Sequence, residues 1–240
     1  IALLKRSLEG RTRPRREKVG VSAVCSGLET VALDRVRVIG QRIHPDNRED
    51  LQEALEDEDM DTLTDEGMEQ TDNGADILDV NVDWPEVDAA ASMTAAVKAL
   101  QTVIRAPLQI DSADPSVLEA GLRVYNGKPI LNCVDGSAKA LDKVLPLAKK
   151  YGAAVVGMTR DENGVPAGAE ERAAIARRIT ERAEQLGIPK EDVYIDCVTR
   201  PGDGEETLKA VRMVKEQLGA KTMLGVSNIS RGADDRAAEN

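Results

Sequence analysis

The sequence contains no phenylalanine, one tryptophan (Trp84), three tyrosines and a single histidine, His44. Core packing therefore rests on Ala, Val, Ile and Leu. With His44 alone, a multi-histidine metal site is impossible, and no paired Cys spacing supports a cysteine-only zinc site. The expectation is that no metal is bound. Cys25, Cys133 and Cys197 are three and widely spaced, which suits a reducing, cytoplasmic setting better than a disulfide framework. No run approaches the roughly 18 apolar residues that cross a membrane, and the apolar opening at residues 1–4 is too short for a secretory signal. Basic residues are also scarce relative to acids. The net charge of −11 argues against a general nucleic-acid binder, which needs a basic surface. Charge is uneven: residues 1–18 hold seven Lys or Arg against two acids, while residues 46–72 hold thirteen acids and only Arg48 as a base. Both stretches read as solvated surface.

What is present is an alternation. Short apolar runs at 36–40, 77–82, 107–111, 129–134, 153–158, 193–198 and 221–227 read as strands. Between them lie amphipathic segments at 86–104, 115–125, 137–149, 170–186 and 205–218. Asp114 before Pro115 makes a good helix start. Gly152, Gly187 and Gly219 stand where helix C-caps belong. The helix expected between Met60 and Asn73 has the weakest pattern, interrupted by Gly67 and several Thr. Strands and helices alternating at about 30 residues imply a parallel sheet. Seven units point to a (β/α)8 TIM-type barrel lacking its eighth strand and helix. The expected organisation is a connector over 1–35, with 1–30 serving at most as a plug across the barrel bottom. A barrel over 36–230 and a polar tail over 231–240 follow.

The stretch GADILDVNVD at 74–83 sets the functional question. In a strand, alternate side chains share a face. Leu78, Val80 and Val82 share one side, and Asp79, Asn81 and Asp83 share the side of Ile77. Inside a barrel that polar side faces the interior, where an unpartnered polar group costs roughly 2–7 kcal/mol. Other strands also end in polar residues: Asp111, Asn132, Asp196 and the Ser227-Asn228 pair. The C-terminal strand ends of such a barrel form its active-site face. The set offers carboxylates and amides, with no Lys at a strand tip and no Ser–His pairing, which disfavours Schiff-base aldolases and triad hydrolases. It suits a flat heterocycle with donors and acceptors along its edge, since a carboxylate takes two parallel hydrogen bonds and Asn both donates and accepts.

At these residues the sequence resembles the pterin-binding barrel of methyltetrahydrofolate–corrinoid methyltransferases and cobalamin-dependent methionine synthases. The segments that carry the resemblance are VIGQRIHP at 38–45, GADILDVNV at 74–82, LQIDS at 108–112 and NGKPILNCV at 126–134. YGAAVVGMT at 151–159, GIPKEDVYIDC at 187–197 and KTMLGVSNIS at 221–230 complete it, so that coverage is about 36–230. Residues 1–35 resemble the connector that follows the homocysteine-binding domain of methionine synthases. The resemblance implies a site for 5-methyltetrahydrofolate, whose N5 methyl passes to cob(I)alamin on another domain or protein. It also implies a homocysteine-binding domain as a possible partner. Carried onto matching positions, it implies that Asp79, Asn132 and Asp196 hold the pterin edge and that Asn228, the one catalytic candidate, lies near N5 and supports its protonation. Asn81, Asp111 and Asp114 join the expected binding set.

The chain departs from the family at several points. Gln41-Arg42-Ile43-His44 replaces Glu-Arg-Ile-Asn, Asp114 replaces the Asn of an Asp-Ser-x-Asn pattern, and Asp83 stands where Gly is usual. The loop after Asp196 is also short. These departures keep two alternatives open: a non-catalytic pterin-binding or scaffold module, and dihydropteroate synthase, which has a related barrel. The latter expects a basic residue on strand seven and a Gly/Ser/Thr-rich loop after strand two. Here those positions read Ser227-Asn228 and Asp83-Trp84-Pro85. His44 is read as a loop residue beside Pro45, Arg42 as a structural ion pair at the barrel rim or a contact near the folate tail, and Cys133 and Cys197 as small buried apolar groups. Trp84 either covers the site or packs beside the second strand.

Overall fold

The computed structural model describes residues 2–11 and 20–229. The chain opens with helix α1 (Ala2–Leu8) and an antiparallel hairpin of β1 (Ala23–Cys25) and β2 (Thr30–Ala32). Seven parallel strands follow in sequential order: β3 (Ile39–Ile43), β4 (Ile77–Asn81), β5 (Leu108–Asp111), β6 (Ile130–Asp135), β7 (Ala154–Met158), β8 (Val193–Asp196) and β9 (Lys221–Met223). The helices between them are α2 (Glu49–Glu56), α3 (Met60–Asp72), α4 (Ala89–Val103), α5 (Pro115–Val124), α6 (Ala138–Tyr151) and α7 (Ala169–Gln185). The last, α8 (Gly204–Met213), runs on into a π-helical turn over Val214–Leu218. This is a TIM-type barrel without its eighth strand–helix unit among the described residues, as the strand count implies. The expected polar tail at 231–240 lies outside the described residues.

Two apolar layers follow from the alternation along the strands. Leu78, Val80 and Val82 face outward and pack with Met93, Val97 and Leu100 of α4, all fully buried. Ile77 faces inward and meets Ile130, Ala154, Val156 and Tyr194 in a second cluster. Val24 and Val31 of the hairpin belong to that inner cluster, so β1 and β2 close the bottom of the barrel. Polar fastenings hold the hairpin there. Tyr125 donates its hydroxyl to the Cys25 carbonyl at 3.0 Å, and Ser22 donates to the Glu191 carbonyl at 2.7 Å. The two strands of this hairpin were not expected from the sequence.

Strand boundaries differ from expectation at both edges of the sheet. The first parallel strand begins at Ile39 rather than 36, leaving Val36 94% exposed. The Asp76 carboxylate explains this, because it takes the Val38 N–H and the Arg37 guanidinium, both at 2.9 Å, and ties the entry segment down outside the sheet. The last strand ends at Met223, and Val226–Asn228 forms a 3-10 turn instead of strand. β8 stops at Asp196 because Val198 has a left-handed φ of 52°, which no strand accommodates.

The weakly patterned helix α3 is fully formed. Asp59 caps it by accepting from Asp61 N and Thr62 Oγ1. Gly67 lets it approach α4, since a Cβ there would stand 3.0 Å from Leu100 Cδ2 and 3.3 Å from Leu78 Cδ1. The glycine that weakens the pattern is the one that permits the packing.

Candidate functional site

Register aligns the polar residues. Asp79 pairs with Gln109 and Asn81 with Asp111 across β4 and β5, and Asp111 pairs with Asn132 across β5 and β6. Asp196 stands beside Met158 on β7 and Met223 on β9, at the same end of the barrel. All of these side chains reach the interior by the rule that places Ile77 there.

The floor of the site is a buried pair. Gln109 Nε2 donates to Asp79 Oδ1 at 2.5 Å, with Asp79 fully buried and Gln109 nearly so. Asp79 Oδ2 lies beside the Asn132 amide and the Asp111 carboxyl without a well-formed hydrogen bond, and Gln109 Oε1 also has no partner. Above this pair stand Asn81, Asp111 and Asn132, with Asn81 Nδ2 donating to Asp111 Oδ2 at 3.3 Å. Burial drives the Asp79 carboxyl well above the usual carboxylate range, and the nearby Asp111 charge pushes it further. Burial raises Asp111 to about 6, opposed by the Asn81 amide and by His44. The two adjacent carboxyls oppose each other's ionisation, and burial favours the neutral form most strongly at the deeper Asp79.

Asp196 is half-buried across the mouth. Its Oδ1 accepts the Val198 N–H at 2.8 Å, and burial raises its carboxyl to about 6. Cys133 senses the charges of both Asp111 and Asp196 and, being desolvated, has its thiol pushed up to about 12. It remains a neutral thiol in the barrel wall, while Cys197 is fully buried against the outer core.

Two expected site residues stand apart from this cluster in their contacts. Asp114 is exposed, and its Oδ1 accepts the Ser116 N–H and hydroxyl at the N-cap of α5. Asn228 is exposed on the 3-10 turn after β9 and lines a cleft of about 440 Å³ with Gln41, Arg42, His44, Arg48 and Ser227. His44 links that cleft to the cluster through its effect on Asp111. Arg42 and Arg48 of that cleft both pair with Glu66, at 3.1 and 3.0 Å.

Several residues that matter here escape strand-tip reasoning. Gln109 lies two positions before Asp111 and therefore on the same face, so alternation alone marks it. Asp83 accepts from the Ser112 hydroxyl at 2.9 Å and from the Ala113 N–H at 3.3 Å, joining the loops after β4 and β5. Trp84 donates its indole N–H to Glu56 and packs at the rim. Arg172 of α7 is wholly buried. Its signal is an arginine on the apolar stripe that carries Ala169, Ala173 and Ile175.

The fold and the cluster define a barrel whose mouth gathers carboxylates and amides from successive strand ends. The chain belongs to the family described as pterin binding enzymes, whose profile matches residues 45–239. It is 32% identical to the methionine synthase of Mycobacterium leprae (strain TN) over 91% of this chain and 20% of that protein. Identity is also 32% to the methionine synthase of Mycobacterium tuberculosis (strain ATCC 25618 / H37Rv), over 95% of this chain and 21% of that protein. The chain thus spans about a fifth of the length of these curated relatives. Among solved structures, Xanthomonas albilineans dihydropteroate synthase with 7,8-dihydropteroate superposes with a TM-score of 0.65 at 21% identity, covering 90% of this chain and 84% of that one. The dihydropteroate synthase of Thermus thermophilus gives a TM-score of 0.62 at 25% identity over the same shares.

Proposed function

We propose that this barrel, spanning 36–230, binds 5-methyltetrahydrofolate and presents its N5 methyl group for transfer, as part of a larger cytoplasmic methyltransferase of methionine synthase type. One observation carries the reading: half-buried Asp111, Asn132 and Asp196 converge over a buried Asp79–Gln109 pair that retains two unpartnered oxygens, Asp79 Oδ2 and Gln109 Oε1. A pterin ring presents an N–H and an amino group beside a carbonyl and ring nitrogens. That donor-rich edge is what the Asp111 and Asp196 carboxylates accept from, and Asn132 answers either type of edge atom. The residues present therefore fit the ligand.

In this reading Asp111 and Asp196 accept hydrogen bonds from the pterin edge, and Asn132 orients it. Asp79, one layer deeper and protonated, keeps Asp111 from sharing its negative charge with a second carboxylate. Asn81 fixes the Asp111 carboxylate, and Asp114 holds the start of α5 beside it. Asn228 faces N5 from the turn after β9, and its amide oxygen accepts a hydrogen bond from N5 once N5 has taken a proton from solvent. A tertiary amine leaves poorly until it gains positive charge, so a hydrogen bond at N5 favours the transition state over the ground state. A corrinoid on another domain or protein supplies the cobalt nucleophile that accepts the methyl group. Residues 1–35 connect the barrel to a preceding domain, in the same proposal one that binds homocysteine. The methionine synthase relatives support the methyltransferase reading.

Dihydropteroate synthase is the second reading, favoured by the solved structures the barrel superposes on. Ser227-Asn228 in place of a basic residue, and Asp83-Trp84-Pro85 after β4, weigh against it. The deciding experiment supplies methyltetrahydrofolate with a competent cob(I)alamin protein and, separately, p-aminobenzoate with pterin pyrophosphate. Methylcobalamin formation above the no-protein control, abolished in Asn228→Ala, is the expected result. Folate binding without methylation favours a non-catalytic module, and dihydropteroate formation favours the second reading.

A further inference from the structure

Asp196 owes its orientation to a turn whose shape is held from behind. Asp196 Oδ1 accepts the N–H of Val198, a β-branched residue in the left-handed region. Unsupported, a valine avoids that conformation. The support is Arg172, reaching from α7 with no solvent exposure. Its Nη1 donates to the carbonyls of Cys197 at 3.3 Å and Val198 at 3.1 Å and to Thr207 Oγ1 at 3.0 Å. Its Nε donates to the Pro166 carbonyl at 2.8 Å, and its Nη2 pairs with Asp203 Oδ2. Thr207 Oγ1 donates in turn to the Val198 carbonyl at 3.2 Å, and Arg200 closes on the same Asp203 oxygen. Val198 is gripped on both sides, its carbonyl by Arg172 and Thr207 and its N–H by Asp196.

We propose that Arg172 is a positioning residue for the ligand-binding carboxylate. Through the Cys197 and Val198 carbonyls it locks the left-handed turn that presents the Val198 N–H to Asp196 Oδ1, leaving Oδ2 directed to the ligand. The inference rests on the reading of Asp196 as a pterin contact, but the lock itself is independent of any ligand. Arg172 lies behind the loop, bonded to Asp203, and touches neither Asp196 nor the barrel mouth in any hydrogen bond described.

The test follows the Asp196 carboxyl directly. Its 13C signal, assigned with Asp196→Asn in aspartate-labelled protein, is titrated in the whole chain without ligand for wild type, Arg172→Lys and Thr207→Val. The thiols of Cys133 and Cys197 beside Asp196 are pushed up to about 12 and are silent over the range, while Asp111 at the same mouth is raised to about 6, so its own signal, assigned with Asp111→Asn, is followed alongside and is expected to stay where it was in both variants. Because the Val198 N–H favours the ionised carboxyl, freeing the turn raises the Asp196 midpoint by about half a unit or more in both variants. A purely structural arginine lowers the melting temperature and leaves that midpoint where it was, and this result overturns the proposal. If Arg172→Lys does not fold, the near-isosteric Thr207→Val decides alone. Methyltetrahydrofolate titrations of the same proteins keep the two claims separate. A shifted midpoint with unchanged folate affinity upholds the lock and refutes Asp196 as a ligand contact.

Discussion

At the scale of single residues, the energetics centre on Asp79. A carboxylate sealed in the barrel interior beside a second carboxylate is disfavoured by desolvation and by like charge, and both are relieved when Asp79 stays protonated. Asp79→Asn keeps an acceptor for Gln109 Nε2 and introduces no charge change at neutral pH. We expect its urea-denaturation stability at about pH 7 to lie within about 1 kcal/mol of wild type. Asp79→Ala strands the Gln109 amide and is expected to lose roughly 1–3 kcal/mol. Equal losses in both variants contradict a protonated Asp79. Much of this cluster was legible in advance. Alternation around Ile77 placed Asp79 and Asn81 inward, and the ends of β5, β6 and β8 located Asp111, Asn132 and Asp196. The depth of Asp79 was not legible, because exposure depends on what stacks above a residue and not on which way it points. The grip of Arg172 was hidden for a related reason: its partners are mainly backbone carbonyls of a loop, and carbonyls carry no sequence signature.

At the scale of elements, the helices and central strands follow the hydrophobic period closely, while the sheet edges do not. Edge strands lack a neighbour on one side, so their limits are set by local side chains such as Asp76 rather than by apolar runs. The 3-10 turn over Val226–Asn228 moves Asn228 from a strand tip to the rim cleft near His44. α3 carries the opposite lesson, since a poor helical sequence forms because tertiary contact with α4 favours it. Gly67 is the sensitive point. Gly67→Leu inserts a side chain against Leu100 and Leu78 and is expected to lose about 1–3 kcal/mol. For a chain of this size that is a fall of several degrees in thermal melting. Gly67→Ala, where helix propensity offsets a tight Cβ, is the milder control. A Gly67→Leu variant that melts with wild type would show that α3 and α4 are not packed as described.

At the scale of the whole molecule, the hairpin packs on the inner cluster at the bottom of the barrel and the polar cluster occupies its mouth. No helix among the described residues is long and apolar enough to cross a membrane. The central claim is that Asp111 and Asp196 accept hydrogen bonds from a pterin in their ionised forms. Both carboxyls are raised to about 6 by burial, so the ligand-competent charge is present above that pH and is lost as pH falls through it. Each such carboxyl weakens binding by about tenfold at one pH unit below its midpoint. The most direct measurement is a calorimetric titration with methyltetrahydrofolate at several values between about pH 8 and pH 5, for wild type and Asp196→Asn. The account predicts saturable binding that is tightest at the alkaline end, falls through about pH 6, and is both weaker and less pH-dependent in the variant. Binding that is flat with pH and identical in the two proteins would contradict it.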